Sequence, residues 1–339
     1  MTEEIIDSGD LFEHFRFVVD RGQSPVRIDK FLFNRLEGIS RSRIQSAAAA
    51  GNILVNRQVV KPSYRVRPGD TIVIVLPEPP VKTEIVPENI PLDIIHEDAE
   101  VIVINKPAGM VVHPAYGNYT GTMVNALLHH LQGHPLFVSS EERPGLVHRI
   151  DKNTSGLLVV AKNERALNRL ASQFYNKTSS RKYLALVWGD LKQDKGTITG
   201  HIGRNPRDRK LMYVFPVGEQ GKEAVTHYRV VERLGYVCLV ECILETGRTH
   251  QIRVHFQSIS HPVFNDPEYG GDRILRGTTF TRYRQFVENC FTLLPGQALH
   301  AWTLGFTHPA TGREVSFEAP VPEGFSTLLE KWRKYTRNR

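Results

Sequence analysis

Apolar residues recur at two periods along this 339-residue chain, and the change of period organises it. Ile28, Phe31, Leu32 and Leu36, with Arg35 beside them, fall at helical spacing. Ser40 is placed to cap a second helix running through Ile44 and Ala47-Ala48-Ala49-Ala50, with Gly51 as its stop. Short strands follow: Ile53-Leu54-Val55, a turn at Asn56-Arg57-Gln58, then Thr71 to Val75 behind the turn Arg67-Pro68-Gly69-Asp70. Prolines at 77, 79, 80, 87 and 91 break secondary structure and place a boundary near residue 85.

Beyond the prolines the pattern belongs to a larger unit. Val101 to Ile104 and Leu157 to Ala161 read as buried strands, Glu164 to Asn176 as a helix, and Arg181 to Val187 as another strand. Cys238 and Cys242 fall on one face of a further strand as small buried thiols. Ile252, Phe256 and Ile259 fit a short helix with Thr249 as N-cap. Ala298 to Pro322 alternates in the manner of edge strands and hairpins. Strands and helices interleave without a repeated strand–helix–strand rhythm. The expected class is therefore α+β, a mixed and largely antiparallel sheet behind a small α/β domain. The segments 192–222 and 271–297 carry no clear pattern.

Charge sharpens this division. Residues 27–70 hold nine Lys/Arg against three Asp/Glu, and the last nine residues hold five basic and no acidic side chains. The first 26 residues are acidic, and residues 71–330 balance. The predicted layout is an acidic extension (1–26), a basic domain (27–76), a proline-rich linker (77–91), a large domain (92–328) and a basic tail (329–339). Clustered positive charge is the footprint of a polyanion-binding module. Arg27, Lys30, Arg41, Arg43, Arg57 and Lys61 are its candidate docking residues. Three cysteines make neither a disulfide framework nor a four-cysteine zinc site. No run is long enough to span a bilayer, and the acidic start lacks a signal-peptide layout, so the expected compartment is the cytoplasm.

The candidate chemistry centres on His148-Arg149-Ile150-Asp151-Lys152-Asn153-Thr154-Ser155-Gly156. A lone carboxylate on a tight loop beside a buried strand is held by the strand and offered to solvent by the loop. A plain surface turn looks the same, so Asp151 needs support from elsewhere in the chain. His129, His130 and His134 lack a cysteine or a paired carboxylate beside them and read as a polar helix end, with no metal expected. His148, His250 and His255 read as structural hydrogen-bonding residues, and no phosphate-loop glycine fingerprint occurs.

Four separated blocks carry a resemblance. They are Lys106-Pro107-Ala108-Gly109 with His113-Pro114, His148 to Gly156, Arg181-Lys182-Tyr183, and Gly247 to Arg253. Together they resemble the RluA-type pseudouridine synthases over about residues 92 to 325, with Ile150 where that family usually has leucine. Arg27 to Leu32, Ser40-Arg41-Ser42, Gly51-Asn52-Ile53, Val55-Asn56 and Pro68-Gly69-Asp70 resemble the small RNA-binding domain first named for the fourth protein of the small ribosomal subunit. The combination is similar to the branch acting on large-subunit ribosomal RNA. The resemblance implies Asp151 as the essential carboxylate and Tyr183 packed against the target base. It also implies Arg253 paired with Asp151, and Arg149 inserted where the target uridine leaves the stack. RNA is the implied partner, the protein is expected to be a monomer, and an isomerisation that gains and loses no atom calls for no cofactor.

Two other readings stay open at this level. A retaining glycosidase or nucleosidase also attacks an anomeric carbon, but it needs a second carboxylate as acid, and the four blocks offer none. A non-catalytic RNA-binding or ribosome-assembly protein would not need Asp151 at all.

Overall fold

The computed structural model describes residues 12–20, 22–36, 39–76, 85–114, 118–137, 144–206, 208, 211–216 and 218–338. The chain divides into two compact units, Met1–Glu84 and Ile85–Arg339. The first half of the expected linker, residues 77–84, lies outside the described residues.

The first unit contains β1 (Phe12–Val18), α1 (Ile28–Phe33), α2 (Arg41–Ala49), β2 (Ile53–Val55), β3 (Gln58–Val59) and β4 (Thr71–Leu76). Its strands form one antiparallel sheet in the order β1-β4-β2-β3. Local chemistry sets the ends of α2: the Ser40 hydroxyl accepts the Arg43 N–H at 3.3 Å, and Gly51 leaves the helix at φ +83°. Ile28, Phe31, Leu32, Ile44, Ile53 and Ile72 form the core between helices and sheet. The acidic N-terminal segment is not simply an extension, because β1 pairs along β4 from Phe12↔Leu76 to Val18↔Thr71. Its side chains are mostly exposed, so it shows no apolar period, and backbone pairing is what places it.

The second unit contains β5 (Ile94–Glu97), β6 (Val101–Lys106), α3 (Met123–His130), β7 (Ser155–Ala161), α4 (Glu164–Tyr175), β8 (Ser180–Trp188), β9 (Lys195–Arg204) and β10 (Met212–Phe215). It continues with β11 (Lys222–Arg233), β12 (Val237–Leu244), α5 (Gln251–Ser258), α6 (Thr281–Phe291), β13 (Leu299–Thr307), β14 (Glu314–Glu318) and α7 (Glu323–Arg337). Among the described residues these strands make one ten-stranded sheet in the order β10-β9-β11-β12-β8-β13-β7-β6-β5, with β14 on β13. Among the described residues only β13 and β7 pair in parallel, so the sheet is mixed and mostly antiparallel.

Helices cover both faces of the sheet centre, which is why its strands read as continuous apolar runs. On one face Ile102, Ile104, Leu158, Val160, Val187, Cys238 and Cys242 pack with Met123, Leu127, Ile252 and Phe256 of α3 and α5. On the other, Leu184, Leu186, Trp188 and Leu239 pack with Val287, Leu328 and Trp332 of α6 and α7. Val101, Val103, Leu157 and Val159 meet Ala166 and Leu170 of α4.

Two segments differ from their sequence reading. β13 is a central strand between β8 and β7. Its alternation misleads because its polar side chains are satisfied inside: His300 Nδ1 lies 2.9 Å from Ser155 Oγ. Its small residues serve close approach, and a Cβ on Gly156 (φ +109°) would fall on the Ala301 carbonyl. The basic C-terminal stretch is mostly the helix α7. Leu329 and Trp332 are buried, and Arg333 donates to Glu232 at 2.7 Å. Its cations occupy the outer face of an amphipathic helix.

Candidate active site

The Asp151 loop is clamped from three directions. Ile150 is buried in the core, and the Thr154 N–H bonds the Asp151 carbonyl at 3.1 Å to close the turn. Gln297 donates to Thr154 Oγ1 at 3.2 Å. Below the loop lies a buried lysine. Lys106 Nζ donates to the carbonyls of Pro107, Met110 and Lys152 at 2.7, 2.8 and 2.9 Å, tying β6 and the loop after it to the Asp151 loop. Burial pushes Lys106 down to about 7, with the negative charge of Asp151 opposing it.

Arg253 reaches this loop from the first turn of α5. The helix begins one residue later than its sequence suggests, with His250 at the N-cap in the left-handed conformation (φ 55°) and no side-chain cap. The left-handed residue turns the chain sharply out of the Gly247-Arg248-Thr249 loop into the helix. Arg253 Nη1 donates to Asp151 Oδ2 at 3.0 Å. Its Nε and Nη2 hold Asp266 in a bidentate pair at 2.7 and 2.8 Å, Nη2 also bonds Glu268, and Tyr269 lies under the guanidinium at 5.0 Å. Burial opposes the charge on Arg253, but the bonds and charges of Asp266, Asp151 and Glu268 outweigh it and raise its pKa further. Asp266 and Glu268 were missed from sequence because they lie outside the motif blocks, in Asp266-Pro267-Glu268.

The Asp151 side chain is 20% exposed, and among the described residues its Oδ1 makes no hydrogen bond. One oxygen is therefore anchored and the other is free to meet a substrate. His250 Nε2 lies 3.9 Å from the anchored oxygen, while its Nδ1 is 2.8 Å from the Tyr269 hydroxyl.

Asp151, Tyr183 and Arg253 line one cavity of about 530 Å³, together with His148, Arg149, Arg181, Arg248 and His250. Tyr183 is buried, and the hydroxyl pKa is raised by burial, with Arg181 lowering it and Asp151 raising it. Arg149 is exposed at the cavity. His148 stacks on Phe174 at 4.4 Å and its Nε2 accepts the Val159 N–H at 3.0 Å, which fixes the start of the loop. His255 Nδ1 lies 2.9 Å from Thr226 Oγ1. His130, at the end of α3, pairs with Glu97 at 2.8 Å.

The six basic candidates of the first unit are all exposed. Two are tethered. Arg27 and Arg41 both donate to the fully buried Asp29 at 3.1 Å, where Gln45 adds a bond of 2.6 Å. Asp70 closes the turn, accepting from Asn56, Tyr64 and the Arg67 N–H at 2.8 to 2.9 Å.

A basic domain in the same chain as a cavity that holds an arginine-anchored carboxylate fits an enzyme that works on a polyanion. Residues 100–258 match the family described as RNA pseudouridylate synthase, and residues 26–72 match the S4 domain. A protein of Chlorobaculum parvum named as an uncharacterized RNA pseudouridine synthase is 47% identical over 317 residues, covering 93% of this chain and 96% of that protein. The ribosomal large subunit pseudouridine synthase D of Neisseria meningitidis serogroup B is 45% identical over 303 residues, covering 89% and 78%. Among solved structures, human RNA Pseudouridylate Synthase Domain Containing 4 superposes with a TM-score of 0.54 at 25% identity, covering 71% of this chain and 92% of that one. The chain belongs to the RluA-type RNA pseudouridine synthases, with an S4 domain at its N-terminus. It is an isomerase that makes pseudouridine in RNA.

Proposed function

We propose that the substrate is large-subunit ribosomal RNA and that Asp151 is the essential carboxylate. The observation that carries the second part is the asymmetry of Asp151, with one oxygen held by a buried arginine and the other open to the cavity. The name of the Neisseria relative supports the first part, as does the exposed basic face of the S4 domain. We place the enzyme in the cytoplasm as a monomer. Among the described residues no helix is long and apolar enough to cross a membrane.

The chemistry asks for few groups. The bond from uracil nitrogen to the anomeric carbon breaks, the base turns, and carbon five is joined instead. A proton leaves carbon five and one is gained at nitrogen. The target is stacked in RNA, so the nucleotide must first be flipped out, which costs a few kcal/mol. In this reading Arg149, which is exposed at the cavity, fills the vacated stack. Arg253 holds one oxygen of Asp151, and the other serves as nucleophile or base at the sugar. Tyr183 offers a buried ring against which the detached base turns. Burial favours its neutral form, so the hydroxyl is a better donor than base until a partner takes its proton.

The glycosidase alternative needs a protonated acid near Asp151. The fold does bring Asp266 and Glu268 to Arg253, yet both are bound to the guanidinium as its counter-charges, and Glu245 at the cavity wall is paired with His227.

The test is tritium release from carbon five of labelled uridine in unmodified large-subunit RNA. Wild-type protein should release label, and Asp151→Asn should lower the rate at least about 10³-fold with an unchanged thermal transition. Wild-type rates in the variant, or free uracil as product, would overturn the assignment.

A further inference from the structure

The cavity holds two deeply buried guanidiniums, and they are treated in opposite ways. Arg253 is surrounded by three carboxylates. Arg181, 8% exposed, makes no ion pair and no hydrogen bond among the described residues, and its Nε is fully covered and unpartnered. Packing alone holds it. Its guanidinium lies over the Phe174 ring at 5.4 Å, and its Nη1 comes so near Gly247 that a Cβ there would stand 2.9 Å away. Gly247 thus leaves room that any side chain would fill. β8 aims Arg181 to the same face as Tyr183, two residues on, and both line the cavity that receives Asp151.

A buried cation without a counter-ion is costly, and a fold that keeps one facing its substrate cavity leaves the counter-ion to the substrate. Uridine itself carries no charge, so the anion RNA brings is a phosphodiester. The guanidinium fork matches that group with two parallel bonds. We propose that Arg181 is a positioning residue that clamps a backbone phosphate of the flipped nucleotide or its immediate neighbour, and so fixes the sugar against Asp151. This rests on the reading above that the cavity receives a uridine of RNA. The proposal differs from docking by the S4 domain, because the clamp acts inside the cavity and only on a nucleotide already out of the stack. Lys177 and Arg149 also line the cavity but are exposed, so water already serves them.

The experiment compares wild type, Arg181→Lys and Arg181→Met in full-length protein. It measures tritium release and binding to transcribed large-subunit RNA over a range of salt, and the thermal midpoint without RNA. Arg181→Met should lower kcat/KM roughly ten- to hundred-fold. The slope of log affinity against log salt should become shallower by about 0.7, the share of one phosphate on a single strand. Its RNA-free thermal midpoint should stay level or rise, because an uncompensated charge has been replaced by an apolar chain. Arg181→Lys, which keeps the charge and loses the fork, should fall between. If wild type is active and Arg181→Met keeps its KM and salt slope, the clamp is refuted. A thermal midpoint lowered by several degrees, with activity lost in proportion, would make Arg181 a packing residue and also refute it. Absence of release by wild type would instead count against the functional reading itself.

Discussion

The two units of this enzyme build their charge clusters with opposite polarity. In the S4 domain a fully buried carboxylate, Asp29, gathers two exposed arginines. In the catalytic unit a buried arginine, Arg253, gathers three carboxylates whose exposure rises from 0% at Asp266 through 20% at Asp151 to 41% at Glu268. In the first case the acid orders the cations that RNA phosphates would meet and sacrifices part of their charge. In the second the cation orders the acids and leaves one of them, Asp151, both anchored and reachable. A docking face needs its groups outside, and a reacting group needs one side in each environment.

The largest effect should come from the buried end of the catalytic cluster. Asp266→Ala leaves Arg253 without its bidentate partner and should cost about 3–5 kcal/mol in urea unfolding. It should also abolish tritium release at temperatures where the variant is folded. A loss under 1 kcal/mol would show that Asp151 and Glu268 suffice to hold Arg253.

A smaller effect is expected at the mirror position. Asp29→Ala frees Arg27 and Arg41 and should destabilise the first unit by about 1–3 kcal/mol. Faster hydrogen exchange over α1 and α2 would report it. All three tryptophans, Trp188, Trp302 and Trp332, lie in the second unit, so the fluorescence transition should not move. A matching shift in fluorescence would break the comparison.

The smallest effect is a difference in acid response. Burial, with repulsion from Arg181, pushes His148 down to about 3, and burial pushes His255 down to about 4. The unfolded chain takes up these protons near 6.5. Their contribution to stability is therefore complete above that pH and drains away as pH falls from 6.5 towards 3. Burial works against ionisation of Asp29, but bonds from Arg27, Gln45 and Arg41 win and push it down to about 2. Its contribution is complete above about 4 and is lost only as pH falls through 2. Between pH 6.5 and 4 the tryptophan-detected urea midpoint should fall while exchange in the first unit stays level. His148→Gln should flatten that fall, by at most about 1.4 kcal/mol for each pH unit. A parallel slope in wild type and variant would show that His148 does not drive it.

Elements whose ends are set by neighbouring residues were legible in the chain. Ser40 and Gly51 bound α2, and the Pro68-Gly69-Asp70 turn starts β4. β1, the central place of β13 and the packing of α7 were not, because backbone pairing and burial against distant strands decide them. Asp151, Tyr183 and Arg253 could be picked out because their motifs are continuous. Lys106 and Arg181 stood in quoted motifs too, yet nothing local distinguishes a buried lysine or an unpaired buried arginine from a solvated one.

The sequence by itself determined the family, the kind of reaction and the carboxylate to suspect, since these rest on residue types at short spacing. Only the tertiary structure decided which charges are paired. Asp151 and Arg253 are 102 residues apart, and Arg253, Asp266 and Glu268 meet through a turn the motifs do not include. Pairing depends on burial and distance, and these exist only once strands from across the chain have joined one sheet.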